Sequence, residues 1–220
     1  MSLKALKTTI LDLFFPPRCV FCHRIMESGE IRVCDDCEKN LPKTSGCGEQ
    51  RKDFVKHCVA PFYYEKHVRS SLLRFKFGNM PNYAEVYAPY VADCIREGLE
   101  GKWDVLSWVP VSKKRFRERG YDQAEVLCRA IANELGVSPV PLLTKHRHTK
   151  AQSASGSAEK RRANIAGAYR LLDGADVQDC RILLIDDIIT TGSTVTECAR
   201  TLGLAGADSV VCATVARQRG

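Results

Sequence analysis

The sequence lacks any apolar run long enough to span a membrane, because no uninterrupted stretch approaches the roughly 18 residues that a spanning helix needs. A secretion signal is not expected either, since Asp12 interrupts the amino-terminal apolar run and no small-residue cleavage site follows it. Acidic residues are in deficit, 26 against 33 lysines and arginines, for a net charge of +7. We therefore expect a cytoplasmic protein with no transmembrane segment and an anionic partner. Charge alone leaves open whether that partner is a phosphorylated small molecule or a nucleic acid.

The cysteine pattern does not resemble a disulfide framework, because six of the eleven cysteines precede residue 60 and the rest are scattered through apolar segments. Cys19, Cys22, Cys34 and Cys37 form two C-x2-C pairs separated by eleven residues. This spacing can bring four thiolates around one zinc ion (Zn²⁺) and leaves no open position, so it predicts a structural site. Residues 1–60 are predicted to be an amino-terminal helix followed by this zinc module.

Four further residues near these pairs remain open as extra or substitute ligands: Cys47, Cys58, His23 and His57.

Two adjacent carboxylates end an apolar run in the segment 182–194, ILLIDDIITTGST. Four long or branched apolar residues predict a strand that is buried on both faces. Asp186 and Asp187 follow at its carboxyl end, where open α/β sheets bind ligands. Residues 190–194 supply hydroxyls, a glycine and backbone N–H groups as a helix begins, a combination that binds phosphate. A phosphorylated sugar is the predicted ligand.

This segment resembles the thirteen-residue signature of the type I phosphoribosyltransferases at every position. The resemblance implies that Asp186 and Asp187, the catalytic candidates, hydrogen-bond the ribose hydroxyls of phosphoribosyl pyrophosphate (PRPP). It also implies that the next five residues enclose the 5′-phosphate, namely Thr190, Thr191, Gly192, Ser193 and Thr194.

The chain from 61 to 220 is accordingly predicted to be an α/β domain with a central parallel sheet flanked by helices. Residues 103–111 predict the first buried strand, and 112–120 a basic loop after it. In the phosphoribosyltransferases the loop at this place holds the pyrophosphate, and Ser112, Lys113 and Lys114 match it by order along the chain. Residues 145–162 predict a long polar loop that, by the same resemblance, closes over PRPP. Residues 58–65 predict a strand placed at a sheet edge by Pro61.

The order of motifs over nearly the whole chain resembles the ComF family of amidophosphoribosyltransferase-like proteins. The shared features are the cysteine pairs after a Phe-Pro-Pro, Lys76, and the segments 109–111, 119–124 and 182–194, together with Gln152, Arg161 and Asn164. The chain departs from the family in having Cys47 and Cys58 where many members carry a second set of C-x2-C pairs, and Asp122 where Asn is common. Membership implies a bacterial cytosolic protein associated with DNA uptake, with competence-machinery proteins as partners.

One hypothesis is an enzyme that transfers phosphoribose from PRPP to an undefined nitrogen acceptor with Mg²⁺ as cofactor. Lys113, Lys114 and Mg²⁺ would hold the leaving pyrophosphate. Purine-salvage relatives often have Asp at the place of Thr190, so its absence argues against that chemistry. The commitment of Cys19 and its neighbours to zinc argues against glutamine hydrolysis.

The alternative hypothesis is a non-catalytic protein that binds PRPP or a nucleotide and grips single-stranded DNA. Its phosphate contacts would come from the basic clusters at 113–119, 145–150 and 160–162. Phe116 and Tyr121 are the candidates for stacking on bases.

Overall fold

The computed structural model describes residues 16–26, 32–147 and 163–219. The predicted amino-terminal helix and most of the predicted covering loop, with Gln152, Arg161 and the clusters at 148–150 and 160–162, lie outside the described residues. No helix in the described part of the chain is long and apolar enough to cross a bilayer.

The described strands form one six-stranded mixed sheet and one separate hairpin. The sheet has the order β1-β2-β8-β7-β4, with β3 also paired to β8, and its only antiparallel pair within the described residues is β1 with β2. The hairpin pairs β5 with β6 antiparallel. The bounds are β1 Gln50–Lys52, β2 Val55–Val59, β3 Phe62–Tyr63, β4 Val105–Trp108, β5 Leu143–Lys145, β6 Tyr169–Leu171, β7 Arg181–Ile189 and β8 Ser209–Arg217.

Six α-helices lie entirely within the described residues, together with a 3₁₀ turn at Gly46–Gly48. Their bounds are α1 Asp35–Asn40, α2 Lys66–Phe77, α3 Tyr83–Leu99, α4 Lys113–Arg119, α5 Gln123–Leu135 and α6 Ser193–Leu204.

The predicted central strand is β7, and its apolar run is buried on both faces as expected. Residues alternate between the two sides of the sheet with period two. Leu183 and Ile185 pack in a core with α2, α3 and α5, while Ile182 and Leu184 pack in a second core with α6 and the β5–β6 hairpin. This two-layered burial explains why the segment contains no polar residue before Asp186.

Two local predictions were wrong. The basic segment predicted as a loop forms helix α4, because Ser112 caps its start by accepting a hydrogen bond from Arg115 N and Gly120 ends it in the left-handed region at φ +80°. The strand expected at an edge is divided at Ala60 and Pro61 into β2 and β3. β2 lies between β1 and β8 inside the sheet. Pro61 falls between the two strands, where its missing N–H removes no ladder bond.

The predicted domain boundary at residue 60 lies between β2 and β3, and both strands pair with β8. The main sheet therefore takes strands from both sides of that position. The division into 1–60 and 61–220 stays a prediction.

Candidate functional site

The acid pair of β7 lies at the carboxyl edge of the sheet, where a cavity of about 640 Å³ opens. The β4 ladder ends with Trp108 opposite Ile185, so Asp186 and Asp187 lie beyond the end of β4, while β8 continues to pair with β7 as far as Ile189. Both carboxylates line the cavity. This is the position at which open parallel sheets bind ligands.

The two carboxylates have different environments. Asp187 pairs with Lys76 at the end of α2, with 3.0 Å between Oδ2 and Nζ. Burial, and then the charge of Asp187, raise the pKa of Asp186 to about 7, although its Oδ1 accepts a 2.8 Å hydrogen bond from Asp187 N. Near neutral pH Asp186 is therefore only partly ionised.

The predicted phosphate loop leads from β7 into α6. Gly192 adopts φ +80°, a left-handed conformation that glycine accepts without steric cost. The hydroxyl oxygens of Thr191 and Ser193 are 2.8 Å apart, and four loop residues line the cavity, namely Thr190, Thr191, Ser193 and Thr194. The start of α6 adds backbone N–H groups that have no acceptor within the helix, of which that of Ser193 donates to Thr191 Oγ1 at 3.4 Å. Together with the hydroxyls they form an anion-binding arrangement.

Five cations line the same cavity, and they come from several elements: Arg69, Lys76, Arg115, Arg119 and Lys145. With Lys76 paired to Asp187, the remaining four leave the cavity with an excess of positive charge over Asp186. Such a site attracts a ligand with several negative charges.

The predicted pyrophosphate residues are placed at the start of α4. Ser112 is buried as the cap of that helix. Lys113 and Lys114 are not among the residues that line the cavity, and Lys114 lies 3.9 Å from Glu118 on the exposed surface. Their role in holding pyrophosphate stays a prediction.

Arg115 and Arg119, in the same basic run, do line the cavity. In the sequence they belong to the cluster 113–119 predicted to contact DNA, and neither one is assigned there to PRPP. Their i, i+4 spacing was the available signal, since it places both on one helix face once the segment is helical. Arg69 and Lys145 carried no comparable signal, because only the tertiary fold brings them to the cavity.

Asp122, which departs from the family pattern, holds the cavity wall rather than the ligand. Its carboxylate accepts hydrogen bonds from Val111 N at 2.8 Å and Ala124 N at 3.0 Å, so it caps α5 and fixes the backbone after β4. Burial raises the pKa of Asp122 to about 6. An asparagine oxygen could keep the helix-cap bonds from Ala124 N and Glu125 N, but its amide nitrogen could not accept the Val111 N–H, so the aspartate is what allows both contacts here.

The four predicted zinc ligands converge away from this cavity. The sulfur atoms of Cys19, Cys22, Cys34 and Cys37 all lie within 4.8 Å of one another. The Cys22 and Cys34 sulfurs are 3.7 Å apart, close to the edge of about 3.8 Å that a tetrahedron with Zn–S bonds of about 2.3 Å requires. Burial raises the pKa of Cys19, but hydrogen bonds led by Cys34 N outweigh it and lower that pKa to about 7. The donor set fits a structural zinc ion.

The residues left open as extra ligands do not converge. Cys47 Sγ donates to Glu97 Oε2 at 3.1 Å, whereas Cys58 lies in β2 opposite Cys212 of β8. His57 pairs with Glu49 on the surface. Within the described residues, Cys19, Cys22, Cys34 and Cys37 are the one group that could hold a metal through three or more such ligands.

Comparison with known proteins finds two domain families in the chain. Residues 122–220 match the phosphoribosyl transferase domain, and residues 10–60 match the double zinc ribbon domain. The first match contains β7, the acid pair and the phosphate loop, and the second contains the four-cysteine group.

Three relatives show how far the similarity extends. Competence protein F of Haemophilus influenzae is 26% identical over 90% of this chain and 95% of its own. Competence protein ComFC of Streptococcus pneumoniae is 28% identical over 86% of this chain and 77% of its own. DNA utilization protein YhgH of Salmonella typhi is 37% identical, but the match spans 49% of this chain and 46% of that protein.

Proposed function

The chain belongs to the ComF family of type I phosphoribosyltransferase-like proteins, and from this premise we propose that it binds PRPP with Mg²⁺ and transfers the phosphoribosyl group to a nitrogen acceptor. The observation that carries the proposal is the single cavity in which the acid pair, the phosphate loop and four cations besides Lys76 meet. Each of these three features suits one part of PRPP.

In this proposal Asp186 and Asp187 accept hydrogen bonds from the two ribose hydroxyls, and residues 190–194 bind the 5′-phosphate. The diphosphate on the sugar's first carbon faces the cations. Mg²⁺ commonly keeps several waters and binds through substrate phosphates and one or two carboxylates, which the acid pair can supply.

The reaction breaks the bond between the sugar carbon and the diphosphate oxygen and forms a bond from that carbon to nitrogen. The departing diphosphate takes the bonding electron pair, so positive charge builds on the sugar while negative charge builds on the leaving group. The carboxylates stabilise the first and the cations stabilise the second, and both sets are in place before the reaction starts. Mg²⁺, when bound, further neutralises the leaving group.

We place this activity in the handling of incoming DNA in the cytoplasm, together with proteins of the competence machinery. The support is that relatives matching most of the chain are named competence proteins, and a more distant match is named a DNA utilization protein.

The test is calorimetric titration of PRPP with Mg²⁺ into the wild type and the double variant Asp186→Asn, Asp187→Asn. We expect measurable binding by the wild type and a loss of at least tenfold in the double variant, because the ribose hydroxyls lose charged acceptors. Asp93→Asn, which changes a side chain 75% exposed, is the matched control. Equal affinity in all three proteins would refute the assigned sugar site. Pyrophosphate release from PRPP, screened over a panel of bases and amines, then tests turnover.

A second candidate function is single-stranded DNA binding, and Phe77 favours it. Its ring is 68% exposed, and the guanidinium of Arg119 lies 4.8 Å from the ring centroid. Phe77 lines a cleft of about 240 Å³ with Lys76, Arg115 and Arg119, all of which also line the main cavity. An exposed aromatic ring among cations can stack on a base while the phosphates are neutralised.

Phe116 and Tyr121, the two residues that the sequence predicts to stack on bases, are less exposed than Phe77. Phe116 is 48% exposed, and Tyr121 is half-buried with its hydroxyl donating to Phe75 O. We expect Phe77→Ala to weaken oligonucleotide binding at low salt by roughly 1–3 kcal/mol, and Phe54→Ala, a control ring 63% exposed, to leave it unchanged. Binding that does not weaken as salt rises would argue against this candidate.

A further inference from the structure

The ligand cavity has a second end on the side of β7 away from β4. Strand β7 lies between β4 and β8 in the sheet, and β3 pairs with β8. Tyr64 follows β3 directly, Gln218 follows β8 directly, and both residues line the cavity. Tyr64 N donates to Arg217 O at 2.7 Å. Gln218 N donates to Ile189 O at 3.0 Å, so backbone hydrogen bonds hold both residues at this end of the cavity.

Arg69 supplies a positive charge at this end. It lies in the first turn of α2, just after β3, and precedes Lys76 by seven residues, which corresponds to about 10 Å along the helix axis. Arg115 and Arg119 share the neighbouring cleft with Lys76. Lys145 is close enough to Arg115 for their charges to interact. Arg69 is therefore placed apart from the other cations of the cavity.

The acidic residue that would ordinarily pair with Arg69 is occupied. Glu65 precedes Arg69 by four residues, a spacing at which glutamate and arginine commonly pair on a helix. Glu65 instead accepts a 2.8 Å hydrogen bond from Arg219, whose guanidinium lies 4.0 Å from the ring centroid of Tyr63. Among the described residues, no acid lies within ion-pair distance of the Arg69 guanidinium. Arg69 therefore presents to the cavity a charge that a bound anion can neutralise.

The chemistry of the proposed transfer gives this end of the cavity an occupant. The acceptor nitrogen uses its lone pair to form the bond to the sugar carbon, the bond from that carbon to the diphosphate oxygen breaks, and the diphosphate leaves with those electrons. The nitrogen then loses a proton to solvent. In such a substitution the acceptor approaches from the side opposite the leaving group. Because the cations on the β4 side face the diphosphate, the acceptor enters from the β8 side.

We propose that the end of the cavity lined by Tyr64, Arg69 and Gln218 binds the acceptor, and that the acceptor is a planar nitrogen compound with an anionic group that Arg69 binds. The Tyr64 ring is half-buried and packs against the core, so it provides a fixed aromatic surface for the face of such a compound. The amide of Gln218 can donate and accept hydrogen bonds at its edge. The inference rests on the proposed PRPP function and names the class of its acceptor.

The anionic group has two chemical sources, a carboxylate on the ring or the phosphate of a nucleotide. Two pairs of probes separate them: orotate with uracil, and deoxycytidine 5′-monophosphate with deoxycytidine. Within each pair only one member carries the anion. Each probe is titrated calorimetrically into the full-length protein saturated with ribose 5-phosphate and inorganic pyrophosphate, which together fill the positions of PRPP but cannot transfer the sugar.

We expect the wild type to bind the anionic member of at least one pair about 10- to 100-fold more tightly than its neutral counterpart, because it gains a charge-assisted hydrogen bond. Arg69→Met should reduce this ratio to about 1–2. Arg69→Lys should retain part of the preference because it keeps the charge. Tyr64→Leu should weaken both members of a pair by a similar factor and leave the ratio unchanged.

Arg170→Met is the matched control. It removes the charge of an exposed arginine in β6 that does not line the cavity, so the ratio should keep its wild-type value. A second readout is the affinity for PRPP without any acceptor. Arg69→Met should bind PRPP within about twofold of the wild-type affinity, because Arg69 is apart from the cations that face the diphosphate.

Equal affinity for both members of both pairs in the wild type would overturn the inference, and so would a ratio that survives in Arg69→Met. A loss of PRPP affinity of about tenfold or more in Arg69→Met would also overturn it, because Arg69 would then bind the diphosphate. In these cases the wild type still binds PRPP and the proposed function stands. If the wild type binds no PRPP, both proposals fail. If Tyr64→Leu does not fold, the two Arg69 variants decide.

Discussion

At the scale of single residues, the two acids of β7 differ in how their negative charges are compensated. Lys76 compensates the charge of Asp187, whereas Asp186 has a pKa raised to about 7 by burial and by its neighbour. A ligand whose hydroxyl groups donate hydrogen bonds to both carboxylates would reduce the electrostatic repulsion between Asp186 and Asp187. The pair is therefore a position where binding is favoured at the expense of the stability of the free protein.

Asp186→Asn should stabilise the protein relative to wild type, and this stabilisation should increase as pH rises. The folded pKa of Asp186 lies above its ordinary value of 3.8, so the folded state holds its proton longer and wild-type stability falls between about pH 4 and pH 7. Asparagine removes that loss, and the stabilisation should be about 2 kcal/mol larger at pH 8 than at pH 5. Urea unfolding at the two pH values measures it. A gain that does not depend on pH would contradict this prediction.

Lys76→Met should destabilise the protein. It leaves Asp187, whose side chain is 11% exposed, without its cation. We expect a loss of about 1–3 kcal/mol in the free energy of unfolding at pH 7. Lys43→Met, which breaks an exposed pair with Glu38, should cost less than about 1 kcal/mol. The double variant Lys76→Met, Asp187→Asn should recover much of the loss, and failure to recover would show that Lys76 acts by packing.

At the scale of elements, the phosphate loop depends on one backbone conformation. Gly192→Ala would place a side chain at φ +80° with its Cβ about 3.0 Å from the Lys52 side chain. The left-handed conformation alone costs roughly 1–2 kcal/mol, so we expect a stability loss of that order and weaker binding of ribose 5-phosphate. Gly203→Ala in the same helix, where a Cβ meets nothing within 4 Å, is the control and should stabilise slightly. Unchanged ribose 5-phosphate affinity in Gly192→Ala would show that this loop does not bind the 5′-phosphate.

The elements that could be predicted from sequence are those with a strong local signal. Strand β7 contains an uninterrupted apolar run that is followed abruptly by two carboxylates, and the zinc ligands have a spacing that few other structures need. Helix α4 was missed because its seven residues include five basic ones and no apolar stripe; only its caps, Ser112 and Gly120, marked it.

In the candidate site, too, only the residues with a strong local signal could be predicted from the sequence. Asp186, Asp187 and the phosphate loop are contiguous in sequence, so one motif identified them together. Lys145 and Arg69 reach the cavity through the hairpin and through α2, and no local pattern encodes such long-range placement. That these two side chains line the cavity can be predicted only once the order of the strands in the sheet is known.

At the scale of the whole molecule, the zinc module is connected to the ligand cavity through α2. Ser71 Oγ donates to Val20 O at 2.7 Å, and Arg74 donates to Val20 O at 2.9 Å and Phe21 O at 2.7 Å. The first cysteine pair brackets these carbonyls. The same helix carries Lys76, whose ammonium binds Asp187. A zinc ion bound by the four cysteines would therefore hold the backbone on which α2 rests, and α2 in turn places a cation at the acid pair.

Removing zinc should consequently weaken PRPP binding without any contact between the metal and the ligand. We expect about one zinc ion per chain in purified protein, and chelation to lower the melting temperature and the PRPP affinity together, because thiolates without metal repel one another and release the Val20 carbonyl. Arg74→Met tests the route, since it leaves all four cysteines in place but removes the bonds to Val20 and Phe21. It should retain zinc and still bind PRPP several-fold more weakly, whereas Arg96→Met, a change at an arginine 52% exposed, should alter neither. Zinc-free protein that stays folded and binds PRPP with wild-type affinity would show that the module and the cavity are independent.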